Sequence, residues 1–194
     1  MLRIITGSAR GCKLKQVPGD TTRPTRDMVK QALFNVIQFE IEGRTVLDLF
    51  AGTGQLGLEA VSRGAAKAVL VDHTPAAVRV IRENAEAAKL MDRVDIRQSD
   101  YKAFLQTARK KSFHVVFLDP PYQSGYLKRI LNFIETFDIV ADNGIIICEA
   151  KEDESMPEQL GRLRLQKAYH HGITTLFLYR REPAERVGAE VDEE

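Results

Sequence analysis

Between residues 44 and 149 the chain repeats one unit. A short apolar run is followed by a polar or glycine-rich break and then by a segment with apolar residues at helical spacing. The apolar runs fall at 46–50, 68–72, 94–97, 113–118 and 144–149, and each is too short to be a helix. The intervening segments read as helices over about 55–63, 74–90, 101–108 and 125–136. Gly64 closes the first of these, and Thr74 followed by Pro75 opens the second. Strands joined through helices run parallel, and the helices must lie on the faces of the sheet. Two last runs, 163–167 and 174–179, have no long helix between them and read as an antiparallel edge hairpin. The expected fold is therefore α/β: a doubly wound, Rossmann-like sheet of seven strands, mostly parallel.

The ends of the chain differ from this middle. Residues 2–5 and 12–17 read as two extended stretches around the turn-rich 6–11, a basic hairpin. Residues 21–25 break the pattern. Thr25 then reads as the N-cap of a helix with an apolar stripe at Met28, Val29, Ala32, Leu33, Val36 and Ile37. Net charge is only +1, but residues 1–30 hold seven Lys or Arg against two acids, and residues 182–194 hold six acids against one Arg. The basic end suits a polyanion, although a solvated charged face is the plain alternative, and the acidic tail suits a disordered segment. The domain reading is thus 1–24 as a basic extension, 25–181 as the main domain and 182–194 as a tail. Cys12 and Cys148 are far apart in sequence and form neither a disulfide framework nor a metal pattern, which fits a reducing cytoplasm. No signal peptide or long apolar span points to a membrane.

Chemistry is concentrated where strands end, the edge at which open α/β sheets bind ligands. Asp48 precedes Phe50-Ala51-Gly52-Thr53-Gly54, a loop whose glycines let backbone approach a ligand at a helix amino end. With Gly57 the loop is also G-x-G-x-x-G, and Asp72 lies about 20 residues beyond Gly52, as in a dinucleotide site. An NAD-linked oxidoreductase is therefore a rival reading. Against it, Asp48, Asp72 and Asp100 all sit at strand ends, where they would repel a pyrophosphate but suit adenosine joined to an amino acid. Any one of these acids taken alone reads first as a helix cap or turn former, and the three together with the fourth strand's motif favour a site. The fourth strand delivers Asp119-Pro120-Pro121-Tyr122: an acid, a stiff backbone and a flat aromatic face. Read alone, it is either an amine-holding site or a proline turn.

Together these residues resemble the class I S-adenosylmethionine-dependent methyltransferases. The loop resembles the cofactor loop, Asp72 the ribose acid and Asp100 the adenine-side acid, and Asp119 to Tyr122 resembles the motif of enzymes that methylate exocyclic amines. Residues 3–11, then Arg23-Pro24-Thr25-Arg26-Asp27, Ala32-Leu33-Phe34-Asn35, Gly57-Leu58-Glu59-Ala60 and Gly172-Ile173-Thr174-Thr175, resemble the bacterial family that methylates guanine N2 in 16S ribosomal RNA. That resemblance implies S-adenosylmethionine as cofactor, no metal, a monomer in the cytoplasm, and 16S RNA in the 30S subunit or an assembly intermediate as partner. It implies catalysis by Asp119, Pro120, Pro121 and Tyr122. Cofactor binding would fall to Asp48, Phe50, Ala51, Gly52, Thr53, Gly54, Asp72, His73, Ser99, Asp100 and Tyr101, and RNA binding to Arg3, Arg10, Lys13, Lys15, Arg23 and Arg26. The amine motif alone does not distinguish guanine N2 from adenine N6, cytosine N4 or a glutamine amide. A non-catalytic RNA-binding protein on the same fold is the remaining alternative.

Overall fold

The computed structural model describes residues 2–18, 25–121 and 125–184, with the side chains of 25–27 excepted. Helix α1 (Thr25–Val36) precedes β1 (Thr45–Asp48), α2 (Gln55–Ser62), β2 (Lys67–Asp72) and α3 (Pro75–Ala87). There follow β3 (Val94–Gln98), α4 (Tyr101–Thr107), β4 (Phe113–Leu118), α5 (Tyr126–Phe137) and β5 (Val140–Lys151). The chain then makes β6 (Gln159–Leu160), β7 (Leu163–His171) and β8 (Thr174–Arg181). The sheet order is β3-β2-β1-β4-β5-β8-β7-β6, parallel from β3 through β5 and antiparallel beyond.

The seven expected strands are present, and two-residue β6 adds an eighth at the edge. The expected helices lie within a residue or two of their predicted spans, apart from α3, which stops at Ala87 with a 3₁₀ turn at Met91–Arg93. Strand β5 starts at Val140, four residues before the expected 144, because Asn143 at φ 62° and Gly144 carry the chain through an irregularity that the apolar pattern does not mark.

Alternation along the strands separates two layers of core. Val46, Leu70, Val115, Phe117 and Ile145 face α1, α2 and α3, packing on Leu33, Phe34, Leu58, Val61 and Ile81. Leu47, Val69, Val116, Leu118 and Ile146 face α4 and α5, packing on Leu105, Ile130, Leu131 and Ile134. Full burial of each such side chain is worth about 1.5–3 kcal/mol, so both faces must stay covered. Met28, expected on the apolar stripe of α1, is 68% exposed, because Val29, Leu33, Phe34 and Ile37 are the side chains that turn inward.

The amino-terminal segment is sewn onto the α1–α2 layer. An isolated antiparallel bridge joins Arg3 to Lys13, and Leu2, Ile4 and Leu14 are buried in the same core as α1. Glu59 of α2 is fully buried and accepts the Ile5 and Thr6 amides at 2.7 and 3.0 Å. Arg63 meets the same carboxylate at 2.8 Å and Lys30 at 3.8 Å, so this buried charge is paired on both sides. Ser62 accepts the Ala9 amide and donates to the Thr6 carbonyl.

Candidate active site

Strands β2 and β3 lie on one side of β1, and β4 lies on the other. The connection therefore reverses between β1 and β4, leaving a crevice beyond their carboxyl ends where ligands settle in open α/β sheets. Asp48 ends β1 in register with Phe117, and Asp119 stands two residues past Phe117 on the facing strand. The glycine loop and the Asp119-Pro120 turn thus flank one opening.

The loop conformation follows from its glycines. Gly52 and Gly54 have φ of 53° and 77°, the left-handed region that penalises a side chain. A Cβ at Gly54 would also come within 3.0 Å of Leu70 and 3.2 Å of Ile81. The Ala51 amide bonds to the Val71 carbonyl at 2.9 Å, and the Gly52 amide bonds to Asp72 Oδ2 at 3.0 Å. The acid expected to receive a ribose therefore already holds the glycine loop. Its other oxygen accepts the Thr74 amide and hydroxyl, both at 2.9 Å, where α3 begins. His73 is mostly exposed, with Nδ1 3.8 Å from Asp72.

Asp48, expected among the cofactor-binding residues, turns inward toward α2. It is 2% exposed, and its Oδ2 accepts the Gly57 amide in the first turn of α2 at 2.9 Å. Burial raises its pKa to about 7; the Gly57 hydrogen bond works against this rise, and the charge of Asp72 adds to it. This approach requires glycine at position 57, since a Cβ there would meet Leu70 at 2.9 Å and the Asp48 Cβ at 3.4 Å.

At the end of β3 the Ser99 amide bonds to the Asp72 carbonyl at 3.0 Å, tying the third strand-end loop to the second. Asp100 is exposed and caps α4, its Oδ1 accepting the Lys102 and Ala103 amides. Behind it lies an aromatic cluster. Tyr101 packs against Phe50 and Tyr126, each with centroids 5.6 Å apart, and against Phe133 at 6.2 Å. Tyr126 also meets Phe50 at 6.2 Å, and burial followed by the nearby Tyr101 raises its pKa. Sequence reasoning missed Tyr126. It opens α5 directly after Gly125, where its spacing looks like that of any core residue.

Beyond Asp119, Pro120 is buried and Pro121 exposed. They edge a cleft of about 350 Å³ whose wall includes Tyr126, Lys128, Glu149 and Glu154. The Glu154 carboxylate accepts the Gly125 amide at 3.0 Å across this opening. Tyr122 lies outside the described residues.

The basic side chains lie on the α2–α3 side. Arg3, Arg10, Lys13 and Lys15 are exposed, and Lys15 pairs with Glu83 at 2.7 Å. Arg23, the side chain of Arg26 and the acidic residues 185–194 fall outside the described residues. Lys30 belongs to the basic run in sequence, yet it is 2% exposed and bonds to the Arg3 carbonyl at 2.7 Å.

Comparison with known proteins agrees with this geometry. Residues 2–180 match the family model described as conserved hypothetical protein 95. Ribosomal RNA small subunit methyltransferase D of Escherichia coli K12 is 35% identical over 182 residues, covering 93% of this chain and 90% of that protein. The solved structure of yhhF from Escherichia coli superposes with a TM-score of 0.81 at 35% identity, covering 93% of this chain and 97% of the other. An RNA methyltransferase from Salinibacter ruber, solved with S-adenosyl-L-homocysteine, has the same fold at 19% identity and a TM-score of 0.62 over 89% of this chain and all of its own. By the match across residues 2–180 and the identity along nearly its whole length, this chain belongs to the conserved hypothetical protein 95 family, the family of ribosomal RNA small subunit methyltransferase D.

Proposed function

We propose that this protein transfers a methyl group from S-adenosylmethionine to the exocyclic N2 amine of a guanine in the 16S RNA of the small ribosomal subunit. The observation that carries the reading is the meeting of two loops at the β1–β4 reversal, the glycine loop on one side and Asp119-Pro120 on the other. The relatives of this family named as small-subunit ribosomal RNA methyltransferases support the substrate class.

The residues at the crevice fit an adenosine joined to an amino acid better than a pyrophosphate. Asp72 stands with its carboxylate at the Gly52 amide, Asp100 is exposed beside it at the end of β3, and Phe50 and Tyr101 give a neighbouring apolar wall. Two carboxylates on this edge disfavour a dianion and accept hydrogen bonds from hydroxyl and amine groups. The bound cofactor supplies an already activated, electrophilic methyl group, so the protein's work is orientation and charge stabilisation.

The lone pair of guanine N2 is delocalised into the ring and is a poor nucleophile. The Asp119 carboxylate and the Pro120 carbonyl accept its two N–H groups, which favours a pyramidal nitrogen with the lone pair directed out of the ring plane. The same acceptors stabilise positive charge as it grows on nitrogen. Asp119 then takes the released proton or passes it to water. Two consecutive prolines restrict the turn and hold this geometry. Tyr122 is assigned the stacking face for a base unpaired or flipped from its helix. Arg3, Arg10, Lys13 and Lys15, with Arg23 and Arg26, neutralise phosphates and position the RNA without reading its sequence.

The test pairs wild type with Asp119→Ala. Transfer to unmodified 30S particles should vanish in the variant, while its affinity for S-adenosylhomocysteine stays within about threefold of wild type. Parallel loss of both would make Asp119 a structural residue and remove the amine clamp.

A further inference from the structure

Asn84 is 1% exposed, the one polar side chain among the buried residues of α3. Its Oδ1 accepts the Lys15 amide at 2.7 Å, and its Nδ2 donates to the Lys15 carbonyl at 3.0 Å. The same Nδ2 donates to the Thr53 carbonyl at 2.9 Å. Both amide hydrogens are thereby used, and the arrangement fixes which end of the amide is nitrogen, since two carbonyls face one atom and an N–H faces the other.

The bonds to Lys15 imitate the two-bond ring of an antiparallel residue pair and dock the end of the amino-terminal segment on α3. Docking alone does not require the third bond. The Glu59 and Ser62 contacts already anchor that segment at Ile5, Thr6, Ser8 and Ala9. The third bond reaches the cofactor loop at Thr53, which is 5% exposed and sits between the two glycines with positive φ. One buried side chain thus touches the backbone of the proposed RNA-holding segment and the backbone of the proposed methyl-donor loop.

We propose that Asn84 is a positioning residue that couples the two, so that ribosomal RNA and the methyl donor each strengthen binding of the other. The proposal rests on the functional reading above. RNA held at Lys13 and Lys15 steadies the Lys15 backbone, Lys15 steadies the Asn84 amide, and the amide holds the Thr53 carbonyl in the loop's binding conformation. Equilibrium coupling of this kind is reciprocal: the factor by which RNA tightens the donor equals the factor by which the donor tightens RNA.

The experiment measures affinity for S-adenosylhomocysteine with and without saturating unmodified 16S RNA, in wild type and in Asn84→Ala and Asn84→Asp variants whose folding is checked by cooperative melting. Wild type should show tightening by about fivefold or more, the lower end of ordinary coupling. In a folded variant the factor should fall to about one. A wild-type factor of one, or an unchanged factor in a folded variant, overturns the proposal. A second readout uses wild type alone: S-adenosylhomocysteine without RNA should slow hydrogen exchange of the Lys15 amide, the donor to Asn84 Oδ1. Exchange at Lys15 that ignores the ligand overturns the proposal. Failure of wild type to bind S-adenosylhomocysteine at all would instead overturn the functional reading beneath it.

Discussion

Replacing Asp48 with asparagine should stabilise the ligand-free protein at pH 8 and leave it almost unchanged at pH 5. The folded pKa is raised from an ordinary 3.8 to about 7, chiefly by burial. A carboxyl whose pKa is raised on folding contributes most stability below its unfolded value and loses that contribution as pH rises through the folded value. Between pH 4 and pH 7 wild type should therefore lose up to about 4 kcal/mol from this group, and above pH 7 the loss should level off. Asparagine keeps an acceptor for the Gly57 amide and carries no charge into the buried site. Its amino group faces a position vacated by an oxygen, and an unsatisfied donor there costs about 1–3 kcal/mol. The net gain at pH 8 is then about 1–3 kcal/mol, or a rise of about 2–12 °C in melting temperature for a chain of this size. Thermal melts of both proteins at half-unit steps from pH 4.5 to 8.5 check this. A difference in melting temperature that is constant across that range would refute the account of Asp48 as a buried, reluctantly ionised group.

Three further outcomes follow from the same structure. Glu59→Ala removes the carboxylate that neutralises buried Lys30 and accepts the Ile5 and Thr6 amides, and should cost about 3–5 kcal/mol in denaturant unfolding; a cost under about 1 kcal/mol would mean the network is dispensable. Combined Arg3→Ala, Arg10→Ala and Lys13→Ala should weaken RNA binding and lower the slope of log affinity against log salt by about 0.7–0.9 per lost phosphate contact, so an unchanged slope would remove these side chains from the RNA surface. Tyr126→Ala should reduce transfer through both cofactor and substrate affinity, because its ring joins the Phe50–Tyr101 wall and lines the cleft beside Pro120; kinetics identical to wild type would make that cluster core packing only.

The layout of the site was readable because it depends on alternation and punctuation, which sequence displays. Short apolar runs specify parallel strands, and acids stand at or shortly after the ends of β1, β2, β3 and β4, at Asp48, Asp72, Asp100 and Asp119. What was hidden depends on which long-range partner a side chain finds. Lys30 reads as surface charge on an amphipathic helix, and the Arg3 carbonyl and Glu59 from α2 make its burial tolerable. Asn84 carries no motif; its importance appears when Lys15 and Thr53 are brought to it from 69 and 31 residues away. Asp48 was located correctly at the end of β1, but its direction was not legible, because that depends on the absence of a side chain at Gly57. Arg181, at the end of β8, is buried against Asp138 and the Val140 carbonyl, partners that no local pattern displays.

The central claim is tested most directly by incubating the protein with methyl-labelled S-adenosylmethionine and unmodified 30S particles, free 16S RNA or DNA, then digesting each substrate to nucleosides. The account predicts label in N2-methylguanosine from small-subunit RNA and none in DNA. Label in N6-methyladenine, or in DNA, would contradict it.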